Sequence, residues 1–325
     1  MNQTAEIVTA EDDAPLTTTQ GLEDMVSDWL RSLDGSEDTR RTYRRALEQF
    51  QEWYEDEQRA ALDGQRQAAA GVVRDFRDHL AEEYSAASVN LKLSALRSFL
   101  DYCVKSGMVE ANPADAVEGL KRSGTTKRHK RDELTPDEIN RMIEDCQDQE
   151  TTTGVRDRAI IGLMAYTGLR TVEVHRANIA DIETDQGRTI LWVQGKGESG
   201  KDDFVVLPEQ AERMLSDWMA ERPDADEGPL FVSTSPRNRG DRLSRHAIRT
   251  MIKRRMDAAG IVSDRKSAHS LRHSAISSAI RNGADPEQAQ GMARHANITT
   301  TMTYYHEIDR VENPAEDLID YGGDQ

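Results

Sequence analysis

The sequence predicts a mainly α-helical protein with one small antiparallel β-sheet, an α+β chain of two domains joined by a basic linker. Three observations predict it. Apolar residues recur at spacings of three and four along most of the 325 residues, the pattern of amphipathic helices. One pair of short β-rich runs, RTILWVQ and DFVVLP, flanks the glycine-rich stretch GKGESGKD and reads as a hairpin. The stretch KRSGTTKRHKRDE, residues 121–133, has no apolar residue with which to build a core.

The elements follow in order. Residues 1–18 are polar, acidic and aperiodic, and are expected to form a disordered arm. Residues 19–117 make the first domain. LEDMVSDWL aligns Leu22, Met25, Val26 and Trp29 in one stripe, and TRRTYRRALEQFQEWYEDE repeats the device with Tyr43, Leu47, Phe50 and Trp53. VVRDFRDHLAEEY and ASVNLKLSALRSFLDYCVKSG add two helices, the last stopping at Gly107 before Asn112 and Pro113 close the segment. Residues 118–133 are the linker. In TPDE, Thr135 can cap, Pro136 suits the first helical position and Glu138 completes a capping box, so a second domain over 134–310 opens there. It continues with the helical runs RDRAIIGLMAYTG, EQAERMLSDWMAE, LSRHAIRTMIKRRMDAAG, SAHSLRHSAISSAIRNG, DPEQAQGMARH and NITTTMTYYHE, the hairpin lying after the first of these. Residues 311–325 are an acidic tail in which Leu318, Ile319 and Tyr321 follow a proline; a short helix docking in cis or on a neighbouring protomer is expected. No internal repeat is visible.

Composition bounds the function. No run approaches the ~18 apolar residues of a membrane span, and the start MNQTAEIVTAEDDAP lacks an export signal, so a soluble cytoplasmic protein without a membrane partner is expected. Cys103 and Cys146 have no CxxC spacing and read as buried thiols. The net charge is -17, yet residues 118–132 carry six basic and two acidic side chains against an acidic background on both sides. Basic residues number 33 Arg to 9 Lys, which resembles adaptation to a salty, halophilic cytoplasm. With a Debye length of only ~3 Å at 1 M salt, such acidity does not exclude DNA.

Four short motifs stand out: TGLRTVEV at 167–174, GKG at 195–197, HSLRHS at 269–274 and ARHANITTTMTYYH at 293–306. His269 and Arg272 are three apart and share a helix face, while Leu271, Ala275, Ile276 and Ala279 draw a separate apolar stripe. His269 and His273 at i, i+4 also have the spacing of metal ligands, but Arg272 between them would repel a cation and no acidic or Cys ligand lies nearby. Metal-free cleavage of a phosphodiester calls for this inventory. Two guanidiniums hold the nonbridging oxygens of a pentacoordinate transition state, a lysine on a mobile hairpin protonates the leaving oxygen, and a phenol of pKa ~10 is the nucleophile and later the leaving group.

In this order, Arg in TGLRxxE, Lys in GKG, HxLRH, then a histidine followed nine residues on by tyrosine, the chain resembles the tyrosine recombinase (phage integrase, Xer-like) family along nearly its whole length. The resemblance implies an N-terminal four-helix SAM-like core-binding domain and a tyrosine-recombinase catalytic domain. It implies a DNA strand breaking and rejoining enzyme that works through a 3′-phosphotyrosyl intermediate, with no cofactor, metal or ATP. Carried over residue by residue, Arg170 and Arg272 clamp the phosphate, Lys196 is the general acid with Lys201 on the same hairpin as second candidate, and His269 handles protons. His295 bonds the phosphate, Glu173 steadies Arg170, and Tyr304 is the nucleophile, with Tyr305 expected to pack or position the helix. Where the family commonly has Leu-Gly-His, this chain has Ala293-Arg294-His295, and Arg294 is expected to add a DNA contact.

The family grips double-stranded DNA as a C-shaped clamp with the linker crossing the duplex. That assigns phosphate contacts to Lys121, Arg122, Lys127, Arg128, Lys130 and Arg131, and DNA contacts to Arg41, Arg44, Arg45, Lys92 and Arg97 in the first domain. In the second domain, Arg245, Arg249 and Lys253 lie on the candidate major-groove helix. Recombination in the family uses a tetramer on two sites, and a partner recombinase or accessory protein stays open. A type IB-like topoisomerase and a noncutting DNA-binding regulator on the same fold are the competing readings.

Overall fold

The computed structural model describes residues 19–60, 69–121, 132–148, 151–195, 200–223, 227–312 and 314–319. The chain divides into two compact units, Met1–Thr125 and Thr126–Gln325. The expected disordered arm, most of the basic linker and the catalytic lysine candidate Lys196 lie outside the described residues.

In the first unit, helices α1 (Thr19–Ser32), α2 (Glu37–Ala60), α3 (Ala69–Glu83) and α4 (Ala86–Lys105) enclose one core, and a 3-10 turn over Pro113–Ala116 follows. The apolar stripes meet as their spacing requires: Trp29 stacks on Tyr43 at 6.0 Å, and Phe50 and Trp53 pack on the fully buried Phe76 at 5.0 and 5.2 Å. Helix α4 then holds the chain that leaves it. Arg97 donates to the carbonyls of Ala114 and Val117, and the Asn90 side chain both donates to Leu120 O and accepts from Leu120 N. A Cβ on Gly119 would lie 2.6 Å from Asn90 Oδ1, so this close approach needs glycine.

The second unit opens with α5 (Pro136–Asp148), whose capping box is formed: Thr135 N donates to Glu138 Oε2 at 2.8 Å and Glu138 N to Thr135 Oγ1 at 3.2 Å. It continues through α6 (Thr152–Thr167), α7 (Thr171–Arg176), β1 (Ile182–Asp185), β2 (Arg188–Val193), β3 (Asp203–Val206), α8 (Glu209–Glu221), α9 (Arg245–Ala258), α10 (Ala268–Arg281), α11 (Pro286–Ala293) and α12 (Ile298–Glu312), with a 3-10 turn over Ala315–Leu318. The sheet is antiparallel in the order β1-β2-β3, with Leu191 opposite both Ile182 and Val205. The expected hairpin is β2 and β3. Strand β1 escapes a reading by alternation because its edge position leaves Glu183, Thr184 and Asp185 exposed; Gln186 and Gly187, both at positive φ, turn it into β2.

Helices α6 and α10 form the interior. Helix α10 was expected to be amphipathic, but every residue from Ser270 to Ser277 is buried, because α6, α9, α11 and α12 surround it. Its serines make this possible: Ser274 Oγ donates to Leu134 O and accepts from Leu134 N. Charge is buried too. Asp157 on α6, fully buried, accepts from Arg156, from Arg255 at 2.8 and 3.0 Å and from Arg254, while Arg255 reaches Asp145 on α5. Both cysteines are buried, and desolvation pushes the Cys146 thiol up to about 12, which makes it inert. Among the described residues no helix is long and apolar enough to cross a membrane.

Candidate active site

The site is assembled from the α6–α7 junction, α10 and the end of the chain. Gly168, left-handed at φ 64, ends α6 and turns the chain into Leu169 and Arg170. Arg170 caps α7. The Glu173 carboxylate, third in that helix, accepts both the Arg170 backbone N–H and its Nη1, each at 2.7 Å. One buried acid thereby fixes the backbone and the guanidinium of the same arginine.

Arg272, on α10, is 2% exposed and donates to Gly168 O at 2.6 Å and to Ala293 O. Arg170 Nη2 donates to the next carbonyl, Arg294 O, at 3.2 Å. Ala293 O and Arg294 O lie at the C-terminus of α11, where carbonyls lack helical partners and the dipole favours cations, and Gly168 O lies at the end of α6. The two guanidiniums are thus seated side by side by the end of one helix. Burial, with Arg170 and Arg294 as cationic neighbours, pushes Arg272 down to about 9, so it is still charged at neutral pH.

Tyr304 on α12 is 4% exposed and sits between two imidazoles: His273 meets it edge-on at 4.9 Å and His295 stacks at 6.2 Å. The buried Thr301 Oγ1 lies 2.9 Å from His295 Nδ1 and orients that ring. Burial raises the Tyr304 phenol above its ordinary value, and the pull of Arg272 and Arg170 only partly offsets it. Tyr305 points elsewhere, its hydroxyl donating to Ala284 O, in keeping with a helix-positioning role.

Arg170, Glu173, Arg272, His295 and Tyr304 are therefore brought together. His269 shares α10 with Arg272 but is exposed, because it lies in the first turn and positions three apart sit 60° from eclipsed. Lys196 lies outside the described residues, and Lys201 pairs with Asp181. Arg294 is not where it was expected. Its guanidinium turns inward onto Glu173 Oε2 at 2.8 Å, with the side chain 4% exposed, because the helix end and the carboxylate compete better for it than solvent does. His273, whose spacing from His269 raised a metal reading that Arg272 argued against, is the neighbour of Tyr304; among the described residues no group of three or more His, Cys, Asp and Glu could hold a metal.

The DNA-contact candidates divide. Arg44, Arg45, Lys121, Arg249 and Lys253 are exposed and Arg245 is half-buried; Arg41 pairs with Asp38. Lys92 bonds Gln49 and lies over the Tyr84 ring, and Arg97 is engaged with carbonyls of its own unit. Arg122, Lys127, Arg128, Lys130 and Arg131 lie outside the described residues.

Comparison with known proteins follows the same division. The phage integrase family model matches residues 132–310, and the model of the phage integrase N-terminal SAM-like domain matches 27–107. The chain is 30% identical over 244 residues to tyrosine recombinase XerC of Thermodesulfovibrio yellowstonii, covering 72% of this chain and 76% of that one. It is 34% identical over 226 residues to tyrosine recombinase XerC of Yersinia pestis, covering 68% and 69%. Among solved structures, the XerH site-specific recombinase bound to a palindromic difH substrate in a post-cleavage complex superposes with a TM-score of 0.67 at 20% identity, over 93% of this chain and 84% of that chain. A lambda integrase (75–356) dimer bound to a COC′ core site gives 0.62 at 16%, over 86% and 96%.

Proposed function

The chain belongs to the phage integrase family, and on that premise we propose that it is a site-specific DNA recombinase of the integrase or Xer-like kind. The observation that carries the reading is a buried tyrosine, flanked by two imidazoles, within electrostatic reach of two guanidiniums seated on one helix end. In this reading Tyr304 loses its phenolic proton and its Oη bonds to the scissile phosphorus. The bond to the 5′ oxygen breaks, and that oxygen takes a proton from Lys196. The product is a 3′-phosphotyrosyl link that a 5′ hydroxyl later reverses, so neither metal nor ATP is needed.

Each group has one task. Arg170 and Arg272 take the charge of the nonbridging oxygens, His295 adds a hydrogen bond to the phosphate, and His269 handles the proton leaving the phenol. The neutral, buried phenol is the resting form; bound phosphate and the guanidiniums must draw it into the anion. Four protomers acting in pairs on two duplexes complete the exchange, with the exposed basic side chains of both units on the phosphate backbone.

Covalent trapping tests this. Wild type, Tyr304→Phe and Tyr305→Phe are incubated with fragmented DNA at high salt, denatured, and the protein-linked fragments sequenced. Adducts at shared sites are expected for wild type and Tyr305→Phe and none for Tyr304→Phe. Adducts lost only in Tyr305→Phe would move the nucleophile, and adducts from none of the three would leave a noncutting DNA-binding regulator. Adducts without exchange between two marked duplexes would indicate a topoisomerase.

A further inference from the structure

The side chain of Arg294 is the feature of the site that the proposed reaction leaves without a task. Its backbone is left-handed, φ 51 and ψ 51, a conformation that glycine adopts freely and that strains a residue with a Cβ. The side chain is nevertheless buried in the site. Its Nη2 donates to Glu173 Oε2 at 2.8 Å and to Gly168 O at 3.3 Å, its Nη1 to Met292 O at 2.7 Å, and its own carbonyl accepts from Arg170. The Nε–H is buried with no hydrogen-bond partner, an unmade bond inside an otherwise satisfied cluster.

Charge gives these contacts a purpose. Arg170 and Arg294 both pair with the carboxylate of Glu173, and Arg272 lies within its electrostatic reach, so three cations share one anion, with Arg272 and Arg294 buried and Arg170 half-buried. A phosphodiester brings one negative charge and an attacking phenolate a second. Until the leaving oxygen is protonated, the pentacoordinate species therefore carries two. Glu173 cancels the charge of one arginine of the clamp, and Arg294 restores it.

We infer that Arg294 is a positioning residue of the phosphate site, which orients Glu173 and through it Arg170, and offsets the carboxylate's charge so that both clamping arginines face the transition state with their positive charge undiminished. The inference rests on the recombinase reading and deepens it.

Substitution by glycine is the informative change, because glycine keeps the left-handed backbone and removes only the side chain. The protein is assayed on a DNA site recovered by adduct trapping, once with the natural phosphate and once with a 5′-bridging phosphorothiolate, whose sulfur leaves without a general acid. Arg294→Gly loses the ion pair to Glu173 but regains an unstrained left-handed backbone; it is expected to remain cooperatively folded, with a melting temperature only a few degrees lower, and to bind the site as before. It should form the phosphotyrosyl link on the order of 10²-fold more slowly on both substrates. Millimolar guanidinium or ethylguanidinium should restore part of the rate to Arg294→Gly and none to Tyr304→Phe, and Arg294→Lys should fall between. An unchanged rate in Arg294→Gly, or a defect confined to the natural phosphate, would overturn the inference while leaving the recombinase reading intact. A loss of rate that tracks a loss of melting temperature and is not rescued would make Arg294 a packing residue only. Absence of adducts in wild type would remove the recombinase reading and this inference together.

Discussion

Glu173 is the residue on which the site's electrostatics turn. Burial raises its carboxyl, yet Arg294, the Arg170 backbone N–H and the Arg170 guanidinium outweigh burial and hold it below its ordinary value of 4.5. The folded state therefore binds fewer protons at Glu173 than the unfolded state does. Its stabilisation is complete above the ordinary carboxyl range and is lost as pH falls through the lowered value. Glu173→Gln, which leaves the buried guanidinium of Arg294 and the half-buried one of Arg170 facing a neutral amide, should cost about 3 kcal/mol at pH 7 in a denaturant titration. The difference from wild type should begin to shrink below pH 4.5, where the carboxyl of the unfolded chain takes up its proton, and close only once pH has fallen through the lowered folded value. Tyr305→Phe, by contrast, should lose only about 1 kcal/mol, the worth of the Ala284 hydrogen bond, and keep cleavage. The identities of Arg170, Glu173, Arg272, His295 and Tyr304 were legible from motif order. Arg294 was not, since a sequence records a cation but not whether it faces solvent or a buried carboxylate.

Helix α9 is tied to α5 and α6 by charge as well as by apolar packing. Asp157 alone receives three arginines, and two of them, Arg254 and Arg255, come from α9. Asp157→Asn removes the charge while keeping the shape, and should lower stability by about 3 to 5 kcal/mol because the buried Arg156 loses its carboxylate and the buried Arg255 is left to Asp145. Thermal melts of the variant would read this directly, and a loss below about 1 kcal/mol would mean that the cluster is solvated and weak. At this scale periodicity found the long helices and the β2–β3 hairpin, because one face of each repeats on a fixed step. It missed β1, an edge strand with polar exposed positions, and misjudged α10, whose buried serines look polar until the hydrogen bond from Ser274 to Leu134 is seen.

The molecule as a whole carries a charge of -17 while gathering cations at one buried site. Self-repulsion of the acidic surface should fall as salt rises, so the melting temperature is expected to climb between about 0.1 and 2 M KCl, with the steepest part at the low end. A melting temperature that is flat or falls across that range would sink the halophilic expectation. Two helical cores separated by a basic stretch, and a reaction class implied by motif order, could be read along the chain, because helical period and motif spacing are local properties of the order of residues. The seating of Arg170 and Arg272 on the carbonyls that end α11, the enclosure of Tyr304 by His273 and His295, and the inward turn of Arg294 could not. Each needs at least one partner more than 20 residues away, where unpaired carbonyls, a buried carboxylate or a neighbouring ring set the contact, and packing alone brings those groups within reach.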